Sequence, residues 1–71
     1  MNNDFNTNFY LGVQSLKQQQ FKQAEKYLLA CIKINPRAWE PYNNLGAIYF
    51  SQKNWAIAQK YFNVKFSYDR F

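Results

Sequence analysis

Shifted by 34 residues, the chain lands on itself. Leu11-Gly12 falls on Leu45-Gly46, Gln18 on Gln52, Ala24 on Ala58 and Lys26-Tyr27 on Lys60-Tyr61. The pairs Leu16/Phe50, Phe21/Trp55, Leu28/Phe62, Ile32/Phe66 and Ile34/Tyr68 keep their apolar character. The chain holds two glycines, and both stand at the same phase. A period of about 20 to 50 residues marks stacked repeats, in which each unit buries its apolar face on the next. The chain is thereby restricted to two copies of one small unit.

Each copy divides into two helical runs. Pro41 opens one of them, because a proline in the first helical turn removes an N–H that has no partner there anyway. Tyr42, Leu45 and Tyr49 follow at spacings of three and four, which puts them on one face. The polar stretch Ser51-Gln52-Lys53-Asn54 breaks that pattern, and Trp55 starts a second run with Ala58, Tyr61, Phe62 and Phe66 on its inner side. The matching faces in the first copy are Asn8, Leu11 and Ser15, then Phe21, Ala24, Leu28 and Ile32. Ile34-Asn35-Pro36 ends a helix, since a proline disfavours helical backbone in the residue before it. The pattern predicts an all-α chain of four helices, about 4–17, 21–34, 39–51 and 55–68.

A glycine inside a helix costs about 1 kcal/mol relative to alanine, so its recurrence calls for a close approach of backbones. The expectation is that Gly12 faces Ala24 and Gly46 faces Ala58, where antiparallel helices cross.

With 71 residues there is room for one domain, 1–71, with repeat one at about 5–38 and repeat two at about 39–71. The Asn-rich start MNNDFNTN is expected to fray, residues 1–4 first. Seven Phe, six Tyr and two Trp supply enough apolar surface to argue against disorder. A chain this small buries only about 60% of its unfolded surface, so its stability is expected to be marginal. The single cysteine, Cys31, excludes an intramolecular disulfide and fits a reducing compartment; it stands at a small-residue phase, where an inert packed thiol is expected. No basic segment precedes an apolar one at the start, and no apolar run approaches the roughly 20 residues that span a bilayer. A cytoplasmic protein without a membrane partner is the expectation.

These residues resemble a known family. Tyr42, Leu45-Gly46, Tyr49, Ala58 and Phe62 in the second unit, with Leu11-Gly12, Ala24, Leu28, Cys31 and Pro36 in the first, are similar to the tetratricopeptide repeat, which also recurs every 34 residues. The resemblance spans residues 5–71. It implies two tandem helix-turn-helix units in a short right-handed α–α superhelix, a solenoid whose first helices line a concave groove. The chain departs from the pattern at Asn8 and Ser15, where the family prefers large aromatics, so the first helix is expected to pack less firmly. It departs again at Lys65 and Arg70, which replace a small residue and a closing proline. The 71 residues hold no solvating helix after the second unit, so Phe66, Tyr68 and Phe71 are expected to lie near an open end. Three units are usually needed for stability, so an apolar end is expected to stay open. Homo-oligomerisation through that uncapped C-terminal end, docking on a partner, or descent from a longer array, of which this chain is a truncated fragment, each resolves it.

By the resemblance, Phe9, Tyr10, Val13, Leu16 and Lys17 line the groove from the first unit, and Glu40, Asn43, Asn44, Ala47, Phe50 and Ser51 from the second. The implied function is a protein–protein interaction scaffold that binds a partner protein, peptide or helix. Asn44 is either a bidentate ligand for a peptide backbone or an ordinary inter-repeat asparagine; Phe9, Tyr10 and Phe50 are either ligand anchors or packing between helices. A clamp for chaperone C-terminal carboxylates does not fit, because Tyr10 occupies the place matching Asn44 and a third repeat is missing. The runner-up is a basic nucleic-acid-associated helical repeat: the formal charge is +5, and Lys22, Lys26, Lys33 and Lys60 fall on the outward side of the second helices. Most aromatics stand at core phase, which places nucleic acid second. Histidine is absent, the acids Asp4, Glu25, Glu40 and Asp69 form no pair, and no metal-ligand or phosphate-loop spacing occurs. The expectation is a non-enzyme without a cofactor.

Overall fold

A computed structural model describes residues 4–64. The positions expected to open the C-terminal end, Lys65, Phe66, Tyr68, Arg70 and Phe71, lie outside the described residues, as does Asp69. Four α-helices follow the sequence pattern: α1 (Phe5–Lys17), α2 (Phe21–Ile34), α3 (Trp39–Ser51) and α4 (Trp55–Phe62). The described α4 element ends at Phe62, Val64 is again helical, and the expected end at 68 lies outside the described residues.

The start of α1 is better fixed than its composition suggests. Asp4 is its N-cap: one carboxylate oxygen accepts from the Thr7 N–H at 3.0 Å and from the Thr7 hydroxyl at 2.7 Å. Asn8 adds a side-chain bond to the Asp4 carbonyl at 2.9 Å. At Asp4 and across Phe5–Asn8 these bonds oppose the expected fraying, because the capping carboxylate satisfies an orphan backbone donor of the first turn; residues 1–3 lie outside the described residues.

Both units turn in the same way. In the first, the Gln19 N–H bonds to the Leu16 carbonyl and the Gln20 N–H to Ser15; in the second, Lys53 bonds to Phe50 and Asn54 to Tyr49. Gln19 and Lys53 sit at φ 59° and 61°, in the left-handed region. This is the Schellman ending of a helix, with a glutamine and a lysine at the position glycine usually takes. The 34-residue repeat is thus present in the backbone even where the turn residues differ. Between the units, Asn35 is extended at φ −139°, as a residue before proline should be, and its side chain accepts from the Arg37 N–H at 3.2 Å.

Ala24, Leu28, Leu45 and Ile48 form the core, drawn from α2 and α3, with Phe9, Leu16, Phe21, Ile32 and Tyr61 packed around it. Helix α1 lies on α2, α2 on α3, and α3 on α4; α1 touches α3 lightly, while α2 and α4 do not meet among the described residues. The Cα envelope is a slab of 34 × 29 × 14 Å, two helices thick.

The glycines mark close approaches, but to other residues than expected. A Cβ on Gly12 would stand 3.0 Å from Leu28 and 3.4 Å from the Cβ of Tyr27; one on Gly46 would stand 2.6 Å from the Phe62 ring. The nearest neighbours are therefore Leu28 and Phe62, themselves 34 residues apart, and not Ala24 and Ala58. The alanines are buried, Ala24 completely, and a large side chain closes over each glycine instead.

Candidate interaction surface

Helices α1 and α3 carry the residues expected to line the groove, and the structure divides them. Tyr10 is open, with 61% of its surface exposed, and Lys17, Glu40, Asn43 and Ser51 are also exposed. Val13, Asn44 and Ala47 are partly buried. Phe9 and Leu16 turn into the fold and pack against the core, so they support the surface rather than line it. Phe9 also stacks on Phe5 with ring centroids 6.1 Å apart. Phe50 is neither core nor a free anchor: it is 56% exposed and meets Trp55 edge-on at 5.0 Å and Phe62 at 6.5 Å.

The repeat-signature residues build the scaffold behind this face. Gly12, Ala24, Leu28, Leu45, Gly46 and Ala58 are buried, while Leu11, Tyr42, Tyr49 and Phe62 are partly buried. Tyr61 of α4 lies between two α3 tyrosines, 6.4 Å from Tyr42 and 5.7 Å from Tyr49. Pro36 stays exposed in the linker, where its carbonyl accepts from the Tyr42 hydroxyl at 3.1 Å. Trp55, which starts α4, is 55% exposed, where its counterpart Phe21 packs against the core. The polar exceptions Asn8 and Ser15 are buried in α1 despite their small size.

One feature went unseen in the sequence. The start of α2 and the end of α3 enclose a cleft of about 200 Å³ lined by Phe21, Lys22, Glu25, Ile48, Tyr49 and Gln52. On its wall the Tyr49 hydroxyl donates to the Glu25 carboxylate at 2.5 Å, joining the two units. This bond pushes the Tyr49 phenol up to about 12, with burial and the nearby negative charge adding to it. A signal was available: Glu25 breaks the repeat, since its counterpart is Gln59.

Elsewhere, the hydrogen bonds from Thr7 hold the Asp4 carboxyl below its ordinary value. Burial pushes the Cys31 thiol up; it is fully enclosed and its sulfur lies 3.5 Å from the Phe5 carbonyl oxygen. Lys22, Lys26, Lys33 and Lys60 are all exposed, as their outward phase predicts. Among the described residues, no group of three or more His, Cys, Asp or Glu could hold a metal ion, and no helix is long and apolar enough to cross a membrane. No protein-family model, curated protein or solved structure matches the chain.

Proposed function

We propose that the chain is a protein-interaction module built from two tetratricopeptide-like units, which holds a partner's peptide or helix on its α1/α3 face. The observation that supports this reading is the exposure of Tyr10 on α1, with Asn43 exposed and Asn44 partly buried on α3, the helix that α1 touches. An aromatic anchor beside amide side chains suits a peptide, because the ring supplies buried area and the amides pair with the peptide backbone. The mechanism is shape and hydrogen-bond complementarity, with no covalent step. A cytoplasmic setting accords with Cys31 as a packed thiol.

The test is selection of peptides from a random displayed library on the full chain, followed by NMR mapping of the enriched sequences. The expected result is shifts at Tyr10, Asn43, Asn44 and Ala47, with affinity lost in Tyr10→Ala. Failure of any peptide to enrich, or shifts confined to other faces, would overturn the reading. The exposed lysines favour the nucleic-acid alternative if a single-stranded oligonucleotide binds instead, with affinity falling steeply as salt rises.

A further inference from the structure

The cleft between the start of α2 and the end of α3 gathers side chains that break the 34-residue repeat. Lys22 and Glu25 on its α2 wall correspond to Ala56 and Gln59 in the second unit. Ile48 and Tyr49 on its α3 wall correspond to Gln14 and Ser15 in the first. The two charges and the apolar wall facing them therefore belong to this junction and not to the repeated unit.

The charges are held apart. The Tyr49 hydroxyl fixes the Glu25 carboxylate at 2.5 Å, and an ionised carboxylate accepts further bonds on its remaining lone pairs. Lys22 stands exposed three residues earlier on the same helix face. Among the described residues, the two form no ion pair with each other. Side chains at this spacing start about 5–6 Å apart, so their ends can hold two opposite groups of one small molecule. The space fits such a size. At about 200 Å³ it lies below the roughly 300–1,000 Å³ of pockets that take drug-sized ligands, and at about 30 Å³ each it equals about seven waters. A nucleotide or a helix is too large for it.

The charge pattern selects the ligand. A plain anion would meet Lys22 but also the Glu25 carboxylate, and a plain cation the reverse. A wholly apolar molecule would strip water from both charges without replacing it. A zwitterion meets each charge with its opposite, and the rings of Phe21 and Tyr49 with Ile48 leave an apolar wall beside it. We infer that this cleft binds a free α-amino acid with an apolar side chain. Its ammonium pairs with Glu25, its carboxylate with Lys22, and its side chain lies against Phe21 and Tyr49. Gln52 offers its amide to the ligand's carboxylate from the mouth of the cleft. The site is separate from the α1/α3 face and does not rest on the peptide-binding reading. Because α2 and α3 belong to different units, the ligand ties them together and stabilises the fold as it fills the cleft.

The test is NMR titration of the full chain with L-leucine, N-acetyl-L-leucine and L-leucinamide. Leucine should move the signals of Phe21, Glu25, Ile48 and Gln52 and approach saturation by about 10 mM, as a Kd of about 1 mM requires. N-acetyl-leucine lacks the ammonium and leucinamide lacks the carboxylate, so each should bind about tenfold more weakly. Two variants remove the protein's charges singly. Glu25→Gln keeps an acceptor for the Tyr49 hydroxyl, and Lys22→Met keeps the stem of an exposed side chain; circular dichroism checks that both are folded. Each should weaken leucine binding about tenfold. Leucine should also raise the thermal midpoint of the wild type more than that of either variant. Absence of saturable shifts at the cleft by about 10 mM would overturn the inference. Equal affinity for leucine and its acetyl derivative would reduce the cleft to an anion site, and equal affinity for leucine and its amide to a cation site. Unchanged leucine binding in both variants would overturn it as well.

Discussion

The Tyr49 hydroxyl of α3 reaches across to the Glu25 carboxylate of α2 at 2.5 Å, so the two units are joined by a charge-assisted hydrogen bond as well as by core contact. The bond stabilises the neutral phenol and raises its pKa to about 12 from an ordinary 10. A raised tyrosine contributes stability that is fully present below pH 10 and is lost as pH rises through about 12. Tyr49→Phe should remove that alkaline loss and cost about 1 kcal/mol at pH 7, the low end for a bond to a charged group because the pair is partly solvated. Urea unfolding at pH 7, and the difference in 295 nm titration between wild type and Tyr49→Phe, check both parts. An unchanged midpoint at pH 7 would count against a structural role for the pair.

Gln19 and Lys53 hold the left-handed position in each Schellman turn, a conformation that costs a residue with a Cβ about 1–2 kcal/mol. Gln19→Gly and Lys53→Gly should each raise stability by about 0.5–1 kcal/mol, since glycine's extra freedom in the unfolded chain offsets part of the gain. The two effects should add, because the turns lie in different units. Chemical denaturation of the single and double variants decides it.

At Gly46, the gain in helix propensity from a larger residue competes with overlap. The Phe62 ring lies 2.6 Å from where a Cβ would stand, so Gly46→Leu should cost about 1–3 kcal/mol net. Gly46→Ala should push the ring aside, which near-UV circular dichroism would register. A stabilised Gly46→Leu would sink the packing argument.

Leu28 and Leu45 are fully buried and sit in the core shared by α2 and α3. Leucine to alanine at such a site costs about 2–5 kcal/mol, a large share of the total for a chain this small. Leu28→Ala should therefore lose most of its helical circular dichroism at 25 °C. Retention of a sharp thermal transition near the wild-type midpoint would contradict this core assignment.

The helix boundaries of α2 and α3 were legible because local chemistry sets them: Asn35-Pro36 ends one, and Pro41 sits in the first turn of the other. The Asp4 cap was equally local, yet the Asn-rich composition around it obscured the spacing from Asp4 to Thr7. The partners of the glycines were not legible. Side chains on a helix lean toward its N-terminus, and the offset between two helices decides which one closes over a gap. That offset placed Leu28 and Phe62 there, where the sequence suggested the smaller alanines. The expected groove suffered similarly: Phe9 and Leu16 share the surface helix with Tyr10, but the rotation of α1 on α2 turned them inward. Trp55 matches Phe21 in the repeat, and only the arrangement of α4 against α3 among the described helices reveals that it is more exposed.

Of the described helices, α3 alone touches the other three. Cleavage in the linker at Arg37 would leave a peptide of α1 and α2 without the other half of its core, and a peptide of α3 and α4 without the Glu25 acceptor. Neither fragment holds a complete interior, yet each presents the surface the other lacks. The halves should be unstructured apart and regain helix when mixed, which makes the linker a natural place to divide the chain into a two-part reporter.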